Sequence, residues 1–232
     1  MNRVIVSLKN IGKILWIKNN EPENWNKINV FLPPNDYVIY KLTDQIVIDH
    51  TSAGNLGGIY DIKTHSWSYE LMDRMGIPHS MMPKRILEPQ EIAGYLTEEA
   101  ANELGLMTDT PVCAGCIDCL ASMLATGALN AGQHVAIIGT SINWGVIHNE
   151  IPSNIDYISM PYVKEPETMF YTYGGASTAG ALPRWFRDLI VPYLDRNGVS
   201  EKTNYKLLDE LAKDMKPGSD GLTMKTLSCI LT

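Results

Sequence analysis

In PVCAGCIDCLASMLATGAL, residues 111–129, the cysteines Cys113, Cys116 and Cys119 stand at three-residue intervals around Asp118. Two chemistries compete for this stretch. The sulfurs match the opening part of an iron–sulfur spacing, whereas the carboxylate could serve as a general base or as a helix cap. A cluster needs four thiolates, and the remaining cysteine, Cys229, lies far along the chain. An odd separation within a strand also sends Cys113 and Cys116 to opposite faces. The expectation is that the cysteines pack as small buried hydrophobes, with no metal held there.

VCAG reads as a short buried strand and CLASMLATGAL as a helix of small and apolar residues. Asp118 then stands at the carboxyl end of a strand, where open α/β sheets place their ligands. As an N-cap it would accept a helix N–H and stabilise the fold by ~1 kcal/mol. From these residues alone the cap is the better reading. The helix dipole favours an ionised carboxylate in either role, so cap and base are compatible.

Two further pieces could bind an anion or a flat ligand. Gly139-Thr140-Ser141 lies between two β-rich runs in VAIIGTSINWGVI, hence in a hairpin turn. Glycine lets backbone amides approach an anion closely and the two hydroxyls add donors, although taken alone the tripeptide reads as a plain turn. In TYGGASTAGALPRWFRDLI, Gly174, Gly175 and Gly180 lead into an amphipathic helix; they could admit a ligand or serve close packing.

The elements that must carry these residues are legible in outline. KILWIKNNEPENWNKINVFLPPNDYVIYKL reads as two short amphipathic helices broken at Glu21-Pro22 and Pro33-Pro34, with Val38, Ile39 and Leu42 facing one way. TDQIVIDHTSAG reads as a strand and a helix start that Asp49, Thr51 or Ser52 can cap. THSWSYELMDRMG has helical spacing at Trp67, Leu71 and Met75 before Gly76, and LTEEAANELGL has a Thr cap and a Gly105 stop. NYKLLDELAKDM is a further helix. The turn-rich Leu129-Asn130-Ala131-Gly132-Gln133 marks the domain boundary.

Composition bounds the function. With 45% apolar residues in 232, the chain can bury a core in one large domain or two modest ones. A formal charge of -7 opposes non-specific nucleic-acid binding, which needs clustered Lys and Arg. An anionic substrate stays open, because backbone amides and a metal ion can supply local positive potential. No stretch approaches the ~20 apolar residues of a membrane helix, and MNRVIVSLKNIGKILWIKNN mixes lysines and asparagines into its apolar run. A cytoplasmic location is expected, and crowded cysteines suit a reducing compartment.

Taken in order and spacing, a carboxylate at a strand end, a Gly-Thr-Ser hairpin and a glycine-rich helix entry resemble the FGGY carbohydrate kinases. WIKNNEPENWNKINVFLPPNDYVIYKLT and IDHTSAGNLGGIYDIKTHSW are similar to the stretch leading into, and the segment forming, that family's sugar-site region. AGCIDCLASMLATGAL resembles its Gly-x-x-Asp segment, VAIIGTS its second phosphate motif, and GGASTAGALPRWFRD the helix beside the nucleotide. The resemblance covers roughly residues 12 to 222, and five segments in the family's order are more specific than any one of them.

It implies an α/β fold, part of the actin-like, RNase H-like ATPase (sugar kinase) architecture. Residues 1–131 would form the end of the sugar-binding domain and 132–232 the start of the ATP-binding domain. It also implies a kinase using ATP and Mg²⁺ on a small-molecule sugar or polyol, most readily a ketopentose such as xylulose, with a homodimer open to it and neither nucleic acid nor membrane as partner. Asp118 would be the catalytic base and, with Cys119, contact the sugar. Gly139, Thr140 and Ser141 would hold the transferred phosphate, and Gly180, Pro183 and Arg184 would lie beside the nucleotide.

The chain departs from the family where Asn or Gln usually follows the catalytic Asp, since Cys119 stands there. The family's Asp-Gly-Thr hairpin and Gly-Gly-Gly adenosine motif have no counterpart, and GSDGLTMKTLSCILT leaves the pattern after Leu222. The alternative function is therefore a truncated, catalytically inactive kinase piece that at most binds sugar or a partner.

Overall fold

The computed structural model describes residues 11–151, 156–194 and 201–222, so Cys229, the first ten residues and the run after Leu222 lie outside the described residues. The chain divides into two compact units, Met1–Val135 with Val146–Thr172, and Ala136–Gly145 with Tyr173–Thr232.

The first unit begins with α1 (Ile11–Asn20), α2 (Pro22–Trp25) and α3 (Pro34–Thr43), three helices where two were expected, because the short piece after Glu21 forms a turn of helix of its own; the breaks fall at the expected prolines. Ile39 is buried and Leu42 half-buried, but Val38 is exposed, so the three do not share a face. β1 (Val47–Asp49) runs into α4 (His50–Leu56) without a loop, because Asp49 ends the strand and caps the helix. Its carboxylate accepts the amides of Thr51 and Ser52, two of the donors that a helix start leaves unpaired.

β2 (Tyr60–Asp61) pairs antiparallel with β3 (Ser66–Trp67), followed by α5 (Tyr69–Met75). Trp67 is therefore in a strand and outside the helix its spacing suggested: Ser68 caps α5, and the indole N–H donates to the Pro83 carbonyl at 2.7 Å. β4 (Arg85–Leu87) lies parallel to β1. Side chains alternate along β1, so Ile48 enters a core with Ile14, Leu56, Ile59 and Trp67, while Val47 enters a second core with Ile39, Leu87 and Ala114.

β5 (Ile92–Tyr95), α6 (Glu98–Leu104), β6 (Pro111–Cys113) and α7 (Asp118–Ala125) complete this part. Thr97 caps α6, and Gly105 ends it in the left-handed conformation, as the sequence indicated. β6 pairs antiparallel with β5, and Pro111 and Cys113 are exposed on it. The buried strand of an open sheet expected before Asp118 is thus a short two-stranded ribbon.

β7 (His134–Ile138), β8 (Ile142–His148), β9 (Ile158–Pro161) and β10 (Phe170–Ala176) form one sheet in the order β7-β8-β10-β9. The division between units runs across β7, β8 and β10. Gly54 lies in α4 because β9 comes so close: a Cβ there would stand 2.6 Å from Cδ of Pro161. In the second unit, Gly174 and Gly175 belong to strand β10, and α8 (Ala181–Leu194) and α9 (Glu201–Ala212) follow.

Candidate active site

Ile117 is the N-cap of α7 and makes no side-chain cap bond, which places Asp118 one residue inside the helix. The cap reading of Asp118 is corrected accordingly. Its exposed carboxylate accepts the Cys119 amide at 2.7 Å, so the carboxyl is held by the first turn of α7 without closing that turn.

That carboxylate lines a cavity of about 580 Å³ in the first unit, whose wall also carries Asn35, Ser52, Asn55, Cys116 and the single cation Lys13 among the described residues. Hydroxyl, amide, carboxylate and ammonium groups on one concave wall, interleaved with apolar residues such as Phe31 and Leu32, suit a small polyhydroxylated ligand.

Asn35, Ser52 and Lys13 were not singled out by the sequence. Ser52 read only as one of three candidate caps beside Asp49 and Thr51, and Asn35 stood unremarked after the Pro-Pro pair. Asn35 and Ser52 meet because Asp49 gathers them: Asn35 Nδ2 donates to Asp49 Oδ2 at 3.1 Å and to Ser52 Oγ at 2.9 Å. The other oxygen, Oδ1, accepts the amides of Thr51 at 2.8 Å and Ser52 at 3.0 Å, and also the Thr51 hydroxyl. Asp49 is fully buried, and among the described residues these bonds are all to neutral donors.

A second buried acid, Asp36, has neither carboxyl oxygen in a formed hydrogen bond among the described residues. Burial first, and the charge of Asp49 second, push its pKa up to about 8, against a smaller opposing pull from the Asp49 amide and the Ser52 hydroxyl. A neutral carboxyl is what an unpartnered acid in such a place should be.

The cysteines are less buried than expected. Cys113 is exposed, and Cys116 and Cys119 are half-buried, with no disulfide among the described residues. Burial pushes the Cys116 and Cys119 thiols up to about 11, so both are protonated at neutral pH and are poor metal ligands. Among the described residues no group of three or more His, Cys, Asp or Glu is arranged to hold a metal ion.

The remaining sequence-derived residues lie in the second unit. Gly139, Thr140 and Ser141 form the exposed turn between β7 and β8, with the Gly139 amide donating to the Ser141 carbonyl at 2.8 Å. That amide is therefore used inside the turn. The chain before α8 folds onto the same turn: the Gly180 amide donates to the Gly139 carbonyl at 2.9 Å and the Ala179 amide to the Thr140 carbonyl at 2.7 Å. A Cβ on Gly180 would collide with the Gly139 carbonyl oxygen, and one on Gly175 would stand 2.7 Å from that of Ile142. Close backbone packing explains both glycines. Pro183 and Arg184 are exposed in the first turn of α8.

The chain is similar to known proteins over most of its length. Residues 2–125 match the description "FGGY family of carbohydrate kinases, N-terminal domain". A xylulose kinase from Staphylococcus xylosus is 31% identical over 187 residues, which cover 78% of this chain and 37% of that protein. A solved structure of xylulose kinase from Rhodospirillum rubrum superposes with a TM-score of 0.83 at 26% identity, over 94% of this chain and 43% of that one. A gluconate kinase from Lactobacillus acidophilus gives 0.77 at 25% identity, over 91% and 41%. The chain thus spans well under half the length of the relatives it matches.

Proposed function

The chain belongs to the FGGY family of carbohydrate kinases, and on that premise we propose that it is part of an ATP-dependent kinase phosphorylating a hydroxyl of a ketopentose such as xylulose. Residues 1–131 would supply the end of the sugar-binding domain and 132–232 the start of the ATP-binding domain, in a cytoplasmic protein.

One observation carries this reading: an exposed carboxylate, Asp118, on the wall of a cavity rich in hydrogen-bonding groups. Phosphoryl transfer passes through a loose transition state, so a protein contributes mainly alignment and charge stabilisation. Asp118 would accept the proton of the attacking sugar hydroxyl and orient its oxygen. Asn35 and Ser52 would bond neighbouring hydroxyls, with Cys119 against the sugar as a small, uncharged contact. Gly139, Thr140 and Ser141 would face the transferred phosphate, and Gly180, Pro183 and Arg184 the nucleotide. Mg²⁺ needs only one or two carboxylates beside phosphates and water, and would reach the site with the phosphates of the nucleotide.

The test is ATP turnover coupled to ADP detection against a panel of ketoses, on the chain and on Asp118→Asn. Loss of a general base lowers kcat by about 10²- to 10⁴-fold. Sugar-dependent turnover that disappears in the variant supports the proposal. Sugar binding without turnover in either supports the alternative, a chain that binds without catalysing. An unchanged rate in the variant removes Asp118 from the mechanism.

A further inference from the structure

Asp118 sits one peptide beyond Ile117, and Ile117 has no side chain able to close the start of α7. Its own backbone amide is nonetheless buried and needs a partner. That partner comes from a distant segment: the Ile117 amide donates to the Thr51 hydroxyl at 3.0 Å, and the same hydroxyl donates to Asp49 Oδ1. Because the Thr51 proton is taken by Asp49, its oxygen must act as the acceptor toward Ile117. The direction of the chain of bonds is fixed.

We infer that Thr51, oriented by Asp49, is a positioning residue for Asp118, setting the peptide from which the carboxylate projects into the cavity. Asp49 is itself held from four sides, by the Thr51 and Ser52 amides, the Thr51 hydroxyl and the Asn35 side chain. Asn35 and Ser52 also line the cavity. One buried carboxylate therefore sets the place of two wall groups directly and of Asp118 through Thr51. A reacting group displaced by a fraction of an ångström loses alignment with its substrate while the binding wall remains, so the effect falls on kcat more than on KM.

The catalytic part of this inference rests on the reading of Asp118 as base; the geometric part does not. The full chain is compared with Thr51→Val, which keeps shape and removes the hydroxyl, and with Thr51→Ser, which keeps the hydroxyl. Amide exchange and the carboxyl ¹³C resonance of Asp118 are followed by NMR without ligand. Losing one hydrogen bond should speed exchange at Ile117 about tenfold in the valine variant, shift the Asp118 resonance, leave the Ile48 amide unchanged, and be reversed by serine. Where turnover is present, kcat falls about tenfold or more with KM within about twofold, again recovered by serine.

An Ile117 amide and an Asp118 resonance untouched by valine overturn the inference, whether or not the chain turns over. Loss of Asp118 as base in the ketose assay would leave these NMR results standing. If the valine variant does not fold, the unmodified chain decides: Ile117 must exchange about tenfold or more slowly than the adjacent Asp118 amide, and equal rates overturn the proposal.

Discussion

The Gly180 amide donates to the Gly139 carbonyl at 2.9 Å, and the two backbones meet where a side chain on Gly180 would strike that same oxygen. The turn holding Thr140 and Ser141 is therefore braced by the entry to α8. Gly180→Ala must push the segments apart, an overpacking cost of about 1–3 kcal/mol. Urea unfolding should show that loss, and exchange should quicken at the Gly180 and Ala179 amides. A neutral substitution would mean that the brace carries no weight.

Gly54→Ala sets two effects against each other. Alanine gains about 1 kcal/mol over glycine inside a helix. Here its Cβ would stand 2.6 Å from Cδ of Pro161 and 3.4 Å from Cβ of Met160. A proline ring cannot swing aside as a long side chain can, so the clash outweighs the propensity and the net change is a loss of about 0.5–2 kcal/mol. A stabilised variant, measured by thermal and urea unfolding, would show that α4 and β9 can separate without cost.

Capping signals were legible because they are local. Asp49 before Thr51 and Ser52, Thr97 before α6, and Gly76 and Gly105 after their helices act within a few residues, and each does what its type suggests. The start of α7 was misplaced because its cap is an isoleucine, and the group completing it, the Thr51 hydroxyl, is 66 positions away. Trp67 matched a helical period, yet its indole and its pairing with Tyr60 fix it in a strand. The order of segments around Asp118 and Gly139 announced the family, whereas Asn35 and Lys13 reached the cavity only through tertiary packing.

The three neighbouring thiols should differ in reactivity. Cys113 is exposed, while burial pushes Cys116 and Cys119 up to about 11. At neutral pH a thiol of that acidity is thiolate only about one part in 10⁴, and half-burial shields it further. Alkylation followed by peptide mass mapping should mark the exposed Cys113 well before the other two. Early labelling at Cys116 or Cys119 contradicts the burial assigned to them.

Asp36 should impose a pH dependence on stability opposite to that of an ordinary paired carboxylate. Its folded pKa is pushed up to about 8 from 3.8, by burial and then by the negative charge of Asp49. Between those values the folded chain keeps a proton that the unfolded chain has released, so stability contributed by this group is present at low pH and declines as pH rises toward about 8, by at most ~1.4 kcal/mol per unit. Asp36→Asn cannot titrate. Its buried amide lacks partners, as the acid does, which costs about 1–3 kcal/mol at every pH and leaves the slope as the informative quantity. Urea unfolding at about pH 5 and about pH 8 should find the variant weaker than the parent at the lower pH and equal or stronger at the higher. Parallel profiles for the two chains would show that Asp36 is already ionised in the folded protein, with a cation or donor beside it that stabilises its charge.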